Sequence, residues 1–535
     1  MHKILITTSG VGSRLGDITK ATNKALVRIG KKPAISHIIE SYPEHLPIVI
    51  TLGYHGDHVR QLVEMTYPDR DITFIDVDKF EGTGSSLGYS LLQARGELQC
   101  PFIYNACDTI CGDASRREIQ LMSSDKNWIA GHKHHGSSQY DSYNIRGKFV
   151  SALFDKGELD SDFAYMGLIG ISDWESFWNI LDELYINNSE DSSLNDFAVI
   201  REMIDSDIKV EHIELKEWYD IGNVESLHKT RNEFPDQFHI LDKVEESIYI
   251  IGESVIKFFA NPEMIKNRVE RSKTLKGLVP TITSVSKNFY KYDFVKGNLA
   301  ADVITPKLTH KILSHAANNL WIHKKINEHE AYTAGSKFYY HKTKERLSNF
   351  WERLKIKDES EIINDELVPS ISDMFKEINW ESLFNYEPTG YHGDFILDNM
   401  IVDNNNNIIL IDWRQDFGGL IEAGDMYYDL AKFNHNLTVN HDIINNDQFT
   451  VNDNENGIKV DIHRRHSLVE SQEEFFNFVR FHGYNEGKIR LLTAIIWLNM
   501  SPLHHYPFDK FLYYFGKYNL YKALKFIKNG KQEKN

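Results

Sequence analysis

The chain has 535 residues, 41% of them hydrophobic and 12% aromatic, which is more than one hydrophobic core usually serves and makes two domains the natural expectation. Its net charge of −17 excludes a general nucleic-acid binder, which needs a basic footprint. An acidic chain binds anions through local devices instead: backbone N–H groups, a few Lys and Arg side chains, and metal ions.

The N-terminal "MHKILITTSG" reads as a first strand and not as a signal peptide. The first 230 or so residues alternate β-rich runs ("KILITT", "IVITLGY", "ITFIDV", "PFIYNAC") with helical spacing ("PAISHIIESY", "GDHVRQLVEMTY", "GSSLGYSLLQAR"). This alternation predicts a largely parallel sheet covered on both faces, with ligands beyond the carboxyl ends of its strands. Cys100, Cys107 and Cys111 show neither C-x-x-C spacing nor a disulfide framework. After Arg231 the pattern changes. "ESIYIIGESVIKFF" predicts a hairpin turning at Gly252-Glu253, "EMIKNRVERSKTL" a helix, and "NFYKYDFVKG" a further strand. Residues 302–385 are mostly helical and rich in Lys and Glu. "FTVNDNENGIKVDIHR" predicts a hairpin with its turn at Asn456-Gly457. The longest apolar runs, such as "LLTAIIWLNM", are about half a membrane span, and "FLYYFGKYNLYKALKF" gives the buried face of a terminal helix. A cytoplasmic protein without a membrane partner is the simplest expectation.

The loop "TTSGVGSRLG" directly follows the first strand. Gly10, Gly12 and Gly16 let backbone N–H groups approach a phosphate chain, and Arg14 adds a cation able to grip phosphate oxygens in pairs. Alone, the loop reads equally well as a tight strand–helix turn, and neither the P-loop nor the dinucleotide spacing is met. Lys24 follows in "TNKALVRIGKKP". These residues resemble the sugar-phosphate nucleotidyltransferases, with Asn23 where that family usually has Pro. The resemblance continues through "EGTGSSLGYSL", "YNACDTI", "FDKGELDSDFAYMGLIGIS" and "EWYDIGNVESL". It implies nucleotide binding by Ser9, Gly10, Gly12, Ser13, Gly82, Gly84 and Ser85, catalytic roles for Arg14, Lys24 and Lys156, and Mg²⁺ held by Asp108 and Asp220. Singly, Asp108 also reads as a helix cap, Lys156 as a surface lysine and Asp220 as a turn aspartate. Six pieces in the family's order are harder to explain that way.

A second set of carboxylates lies far along the chain. "HGDFILDN" places Asp394 and Asn399 five apart after His392, the spacing of the kinase catalytic loop, and "IILIDW" delivers Asp412 at the end of a strand. Gly393 and Trp413 depart from protein kinases and resemble the aminoglycoside phosphotransferase and choline kinase group, as does "AGDMYYDLAKF". That resemblance implies Asp394 as catalytic base, with Asn399 and Asp412 as Mg²⁺ ligands. Lys257 and Glu270 fit the strand lysine and its helix partner at the nucleotide, although both also read as ordinary surface charge. Arg414, where an acidic residue is usual, weakens the case for a choline-type acceptor. His392 reads as a buried hydrogen-bonding group. His504 and His505 lack companions at metal-ligand spacing.

The expected architecture is therefore an α/β Rossmann-like nucleotidyltransferase domain with a mixed, mostly parallel sheet over 1–235, then an α+β bilobal kinase-like domain over 236–535. Its N-lobe is expected at about 240–300 and its helical C-lobe at about 301–535. The expected function is bifunctional. ATP phosphorylates a sugar or small alcohol at the second site. The first site couples that phosphomonoester to a second nucleoside triphosphate, CTP or UTP favoured, and releases pyrophosphate. Mg²⁺ serves both, and the product is an activated precursor of the surface-polysaccharide kind. The alternative is a nucleotidyltransferase carrying a kinase-like regulatory or binding module. The acceptor and any homo-oligomer stay open.

Overall fold

The structure, a computed structural model, describes residues 2–112, 125–133, 139–157, 161–235 and 243–532. The expected domain boundary at 235/236 falls on residues 236–242, outside the described residues. The chain divides into two compact units, the first comprising Met1–Ile265 and Thr283–Phe294, the second Lys266–Ile282 and Val295–Asn535.

The first unit is built on a nine-stranded sheet. Its spatial order is Ile72–Asp76, Ile48–Leu52, Lys3–Thr7, Phe102–Ala106, Phe163–Ile171, Asn127–Lys133, Val210–Glu214, Phe149–Phe154 and Ser142–Arg146. The first four run parallel. Ile4, Leu5 and Ile6 are fully buried, as they must be in a strand covered on both faces. Phe163–Ile171 then pairs antiparallel with both of its neighbours. The parallel expectation thus holds for the first 106 residues, and the sheet is mixed beyond them. Ser142–Arg146 and Phe149–Phe154 are joined by a tight turn, which only an antiparallel pair permits.

The predicted hairpin forms between Glu246–Ile251 and Ser254–Phe259, and Phe289–Asp293 and then Ile282–Val285 extend it into a four-stranded sheet. These strands group with the first unit for a clear reason. Tyr249, Ile256, Phe258 and Phe289 share one apolar core with Ile4, Ile35 and Val59. The Tyr249 hydroxyl donates to the Leu26 carbonyl at 2.7 Å, the Ile250 N–H to Lys31 at 2.7 Å, and Lys291 Nζ to Met65 at 2.9 Å.

The second unit is mainly helical. Its core gathers residues from helices Lys342–Leu354, Met426–Thr438, Glu486–Met500 and Phe508–Gln532. The aromatic stripe of the last helix is buried through Phe511, Tyr513 and Tyr514. The hairpin Phe449–Asn454/Gly457–Ile462 forms with Asn454 opposite Gly457, so its two turn residues are Glu455 and Asn456 and not the expected Asn456-Gly457. Gly457 is claimed by packing: a Cβ there would lie 2.7 Å from the Ile362 carbonyl oxygen.

Candidate active sites

In the first unit, the loop after Lys3–Thr7 sits at the carboxyl end of its strand. Gly12 adopts φ +71, and a Cβ on it would meet Lys24 Cβ at 3.2 Å, so glycine lets the loop lie against the lysine. Gly10 is open on all sides, and Ser13 and Arg14 are exposed. Ser9 is buried, its hydroxyl 2.8 Å from that of Ser90. Asn23, fully buried, replaces the rigidity of a proline with hydrogen bonds. Its Nδ2 donates to the Thr8 and Tyr54 carbonyls at 2.8 and 2.5 Å, and its Oδ1 accepts the Ala25 N–H at 2.8 Å.

Lys24 Nζ lies 2.5 Å from Asp108 Oδ2. Burial pushes the Asp108 carboxyl up, but the Lys24 ammonium, its hydrogen bond and Arg14 reverse this and hold it below the usual carboxylate range. The Cys107 thiol is pushed up to about 12 by burial and then by Asp108. Asp220 is delivered beside Asp108 by a short antiparallel pair, with Asp220 opposite Thr109 and the Ile221 N–H donating to the Asp108 carbonyl at 3.1 Å. Both carboxylates converge on Gly222: a Cβ there would lie 2.9 Å from Asp220 Oδ1 and 3.5 Å from Asp108 Oδ2. Two convergent carboxylates, one held ionised, fit Mg²⁺, which binds through one or two carboxylates plus substrate phosphates. Among the described residues no group of three or more His, Cys, Asp or Glu could hold a metal. The Tyr140 hydroxyl donates to Asp220 Oδ2 at 3.1 Å, a contact that no motif announced.

Gly82 and Gly84 take φ +77 and +81 ahead of the helix Leu87–Ala94, with the Ser85 N–H donating to Gly82 at 3.2 Å. Lys156 is exposed in the turn after Phe149–Phe154, where its charge acts on Asp141.

In the second unit, Asn399 and Asp412 are brought together by a hairpin. Met400–Asp403 pairs with Ile408–Leu410, placing Met400 opposite Leu410, so Asn399 and Asp412 stand at the same end. The Ile411 N–H donates to the Asn399 carbonyl at 2.9 Å. Asn399 Nδ2 donates to Asp394 Oδ2 at 2.9 Å, while Asp394 Oδ1 meets Lys432 Nζ at 2.7 Å. Burial pushes the Asp394 carboxyl up, and the Lys432 charge and hydrogen bond carry it below the usual range. A carboxylate and an amide oxygen at one hairpin end fit Mg²⁺ as ligands.

Gly393, at φ +87, has no room for a side chain: a Cβ would lie 2.6 Å from Arg414 Cβ and 2.8 Å from the Tyr391 ring. Its N–H and that of His392 donate to the two oxygens of Asp429 at 2.7 Å each, and Trp321 Nε1 adds a third donor at 3.1 Å. His392 is fully buried, and burial lowers its imidazole to about 4, so the ring is neutral.

Glu270 and Lys257, expected at the nucleotide of the second site, lie on the helix and the strand that the sequence predicts. Glu270 is exposed on the helix Pro262–Thr274, and its carboxylate pairs with Lys273 at 2.5 Å. The inward face of that helix carries Arg268, bonded to Asp412 Oδ1 at 2.6 Å, and Arg271, whose guanidinium donates to the Tyr391, Arg414 and Ile421 carbonyls. Glu270 is therefore corrected to a surface position. Lys257 is buried in its strand within the first unit, opposite Ile248 and Tyr290. The motif reading missed Lys432, although it follows Asp429 by three residues in "YYDLAKF", one helical turn along the same face. Nothing in the sequence announced Arg268.

A family model described as nucleotidyl transferase matches residues 3–237. The bifunctional protein GlmU of Methanococcus maripaludis is 24% identical over 261 residues, covering 47% of this chain and 60% of that protein. The chain therefore spans about 60% of the length of that relative. The choline-phosphate cytidylyltransferase of Streptococcus pneumoniae is 22% identical over 244 residues, covering 42% of this chain and 96% of that protein. Among solved structures, the CTP:phosphocholine cytidylyltransferase of the same organism aligns with 44% of this chain and 99% of its own at 20% identity and a TM-score of 0.37. Residues 3–237 are thus similar to nucleotidyl transferases, among them proteins named for choline-phosphate cytidylyl transfer. No helix among the described residues is long and apolar enough to cross a membrane.

Proposed function

We propose that the chain is a bifunctional enzyme in which a kinase site makes a phosphomonoester and a nucleotidyltransferase site consumes it. One observation carries the reading. Each of the two phosphate-handling constellations is assembled within a single unit, Lys24, Asp108 and Asp220 in the first and Asp394, Asn399 and Asp412 in the second.

At the first site an oxygen of the acceptor phosphate attacks the α-phosphorus of a nucleoside triphosphate. The bond from that phosphorus to the β-bridging oxygen breaks, and pyrophosphate leaves. Negative charge grows on both groups, so the protein supplies cations and alignment. Lys24 neutralises the α-phosphate, Arg14 and the N–H groups of the Ser9–Ser13 loop hold the departing pyrophosphate, and Lys156 pins the acceptor. Mg²⁺ at Asp108 and Asp220 would add positive charge at the phosphate oxygens. The acceptor is already an anion, so no general base is needed. CTP and UTP are the favoured donors.

At the second site an alcohol oxygen attacks the γ-phosphorus of ATP. The new P–O bond forms as the bond to ADP breaks, and the alcohol proton passes to Asp394. Lys432 keeps that carboxylate ionised and placed, and Asn399 fixes its other oxygen. Mg²⁺ at Asn399 and Asp412 would neutralise the phosphates. One observation favours the second unit as a binding module instead: Asp412 is already engaged by Arg268.

Single-site variants decide. Asp394→Ala is expected to abolish phosphorylation of a free alcohol and spare nucleotidyl transfer from a supplied phosphomonoester, and Asp108→Ala to do the reverse. Phosphoryl transfer absent from the wild type across a broad alcohol panel would leave the binding-module reading standing. Two variants that each abolish both activities would sink the two-site reading.

A further inference from the structure

We infer that the alcohol phosphorylated in the second unit carries its own negative charge, as a carboxylate or a phosphonate- or phosphate-like group. This rests on the kinase reading above and deepens it.

A cavity of about 140 Å³ lies in the second unit, lined by Lys342, Arg346, Arg414 and Lys432 together with aromatic residues that include Phe338 and Tyr428. Lys432 joins it to the reaction centre, because its Nζ is the group 2.7 Å from Asp394 Oδ1. No Asp or Glu lines the cavity. Lys432 is balanced by Asp394. The other three cations form no ion pair among the described residues. The Lys342 ammonium rests 3.6 Å from the centre of the Phe338 ring, the Arg414 guanidinium lies 5.0 Å from the same ring, and Arg346 donates to the Asn499 carbonyl at 3.2 Å. Arg414 Nε is buried with no hydrogen-bond partner. Asp416 acts on Lys342 from outside the cavity, and its Oδ1 already accepts the Gly419 N–H at 2.8 Å.

Clustered, partly desolvated cations without counter-ions are costly to keep. Burial and then Arg414, Arg346 and Lys432 drive the Lys342 ammonium well below its usual range. An anion in the cavity removes that cost, whereas a cationic acceptor would add to it. The aromatic walls and the apolar side of helix Glu486–Met500 suit a short carbon skeleton, and the volume takes a small molecule and not an oligosaccharide. The segment Ser336–His341, which brings Phe338 to the wall, is a π-helical turn, a distortion frequent at functional sites.

The reaction is the one already written: the hydroxyl oxygen gains the γ-phosphoryl group, ADP leaves and the proton goes to Asp394, while the anionic group stays unreacted against the basic wall. The test uses the full chain with Mg²⁺ and ATP. Phosphoryl transfer is measured to glycerate and 3-hydroxypropylphosphonate as anionic probes, to glycerol as a neutral one, and to choline as a cationic one. Binding of the same probes is followed by the rise in Tm. At least one anionic probe is expected to exceed glycerol and choline in kcat/KM by about 100-fold, and glycerate against the phosphonate separates a carboxylate-selective wall from a phosphonate-selective one. Lys342→Met removes a half-buried lysine that has no ion-pair partner among the described residues, so it is expected to fold with Tm unchanged or higher and to lose about tenfold or more of anion affinity. Anion binding that Lys342→Met abolishes, with no phosphate transferred to any probe, would keep the anion site and sink the kinase reading. Preferred transfer to choline or glycerol would do the opposite. Equal Tm responses of wild type and Lys342→Met to the anionic probes would overturn the inference.

Discussion

Asn23 shows how a residue can depart from a family pattern without loosening the loop. A proline would restrict the backbone; Asn23, itself fully buried, instead ties two carbonyls and one N–H. Asn23→Ala is expected to cost about 2 kcal/mol, because one buried and one part-buried carbonyl lose their donor, read as a lower denaturant midpoint at constant slope. An unchanged midpoint would refute that role. His392 makes a different statement. Its ring is neutral in the fold, lowered to about 4 by burial, against about 6.5 when unfolded. Below pH 6.5 the unfolded state therefore binds the proton that the native state refuses, and stability falls as pH falls from about 6.5 towards 4. The contribution is present above that window and lost through it, on the order of 3 kcal/mol in full. In His392→Gln the loss of stability between pH 7 and 4.5 should be smaller than in wild type. An equal loss would place the acid sensitivity elsewhere.

At the scale of elements, the loop Tyr391–Asp394 is held from two helices. Asp429, on Met426–Thr438, accepts two of its N–H groups, and Arg271, on Pro262–Thr274, donates to the Tyr391 carbonyl at 2.6 Å. Gly393 makes this possible, since both its φ and its crowding forbid a Cβ. Gly393→Ala should lower phosphoryl transfer by about 100-fold or more and leave nucleotidyl transfer intact, since reactive geometry tolerates little displacement. Equal loss of both activities would show that the loop's effect is not local. The strands and hairpins around these loops were legible in the sequence because alternation and turn residues act over a few positions, as in "ESIYIIGESVIKFF". That Asn399 and Asp412 stand at one end was legible because the hairpin between them fixes their spacing. What a helix turns inward was not. Pro262–Thr274 offers Arg268, Glu270 and Arg271, and only packing decides that the arginines face in and Glu270 pairs with Lys273. The basic cavity was hidden the same way: Lys342 and Arg346 sit in a stretch that composition marks only as helical and rich in Lys and Glu. The turn at Glu455-Asn456 was displaced by one residue because Gly457 answers to Ile362, nearly a hundred residues earlier in the chain.

At the scale of the whole molecule, the boundary read from sequence and the packing of the first unit divide the chain differently. Composition changes near 235, and a kinase-like reading assigns the strands from Glu246 onward to the second domain. Yet Tyr249, Ile256, Phe258 and Phe289 are all buried in the core that holds Ile4 and Val59, and the Lys31, Leu26 and Met65 carbonyls accept hydrogen bonds from this sheet. The stability of the first unit should then depend on residues beyond position 237, where the family match ends. Phe258, fully buried and 5.0 Å ring to ring from His58, is the sharpest probe. Phe258→Ala leaves a cavity in that core and should cost about 3–5 kcal/mol. In the full chain, the temperature at which nucleotidyl transfer is irreversibly lost should fall by several degrees, even though the substitution touches no residue assigned to that chemistry. Thermal inactivation of nucleotidyl transfer unchanged from wild type would mean that the sheet contributes nothing to the first domain's stability, and the boundary would return to the one the sequence suggests.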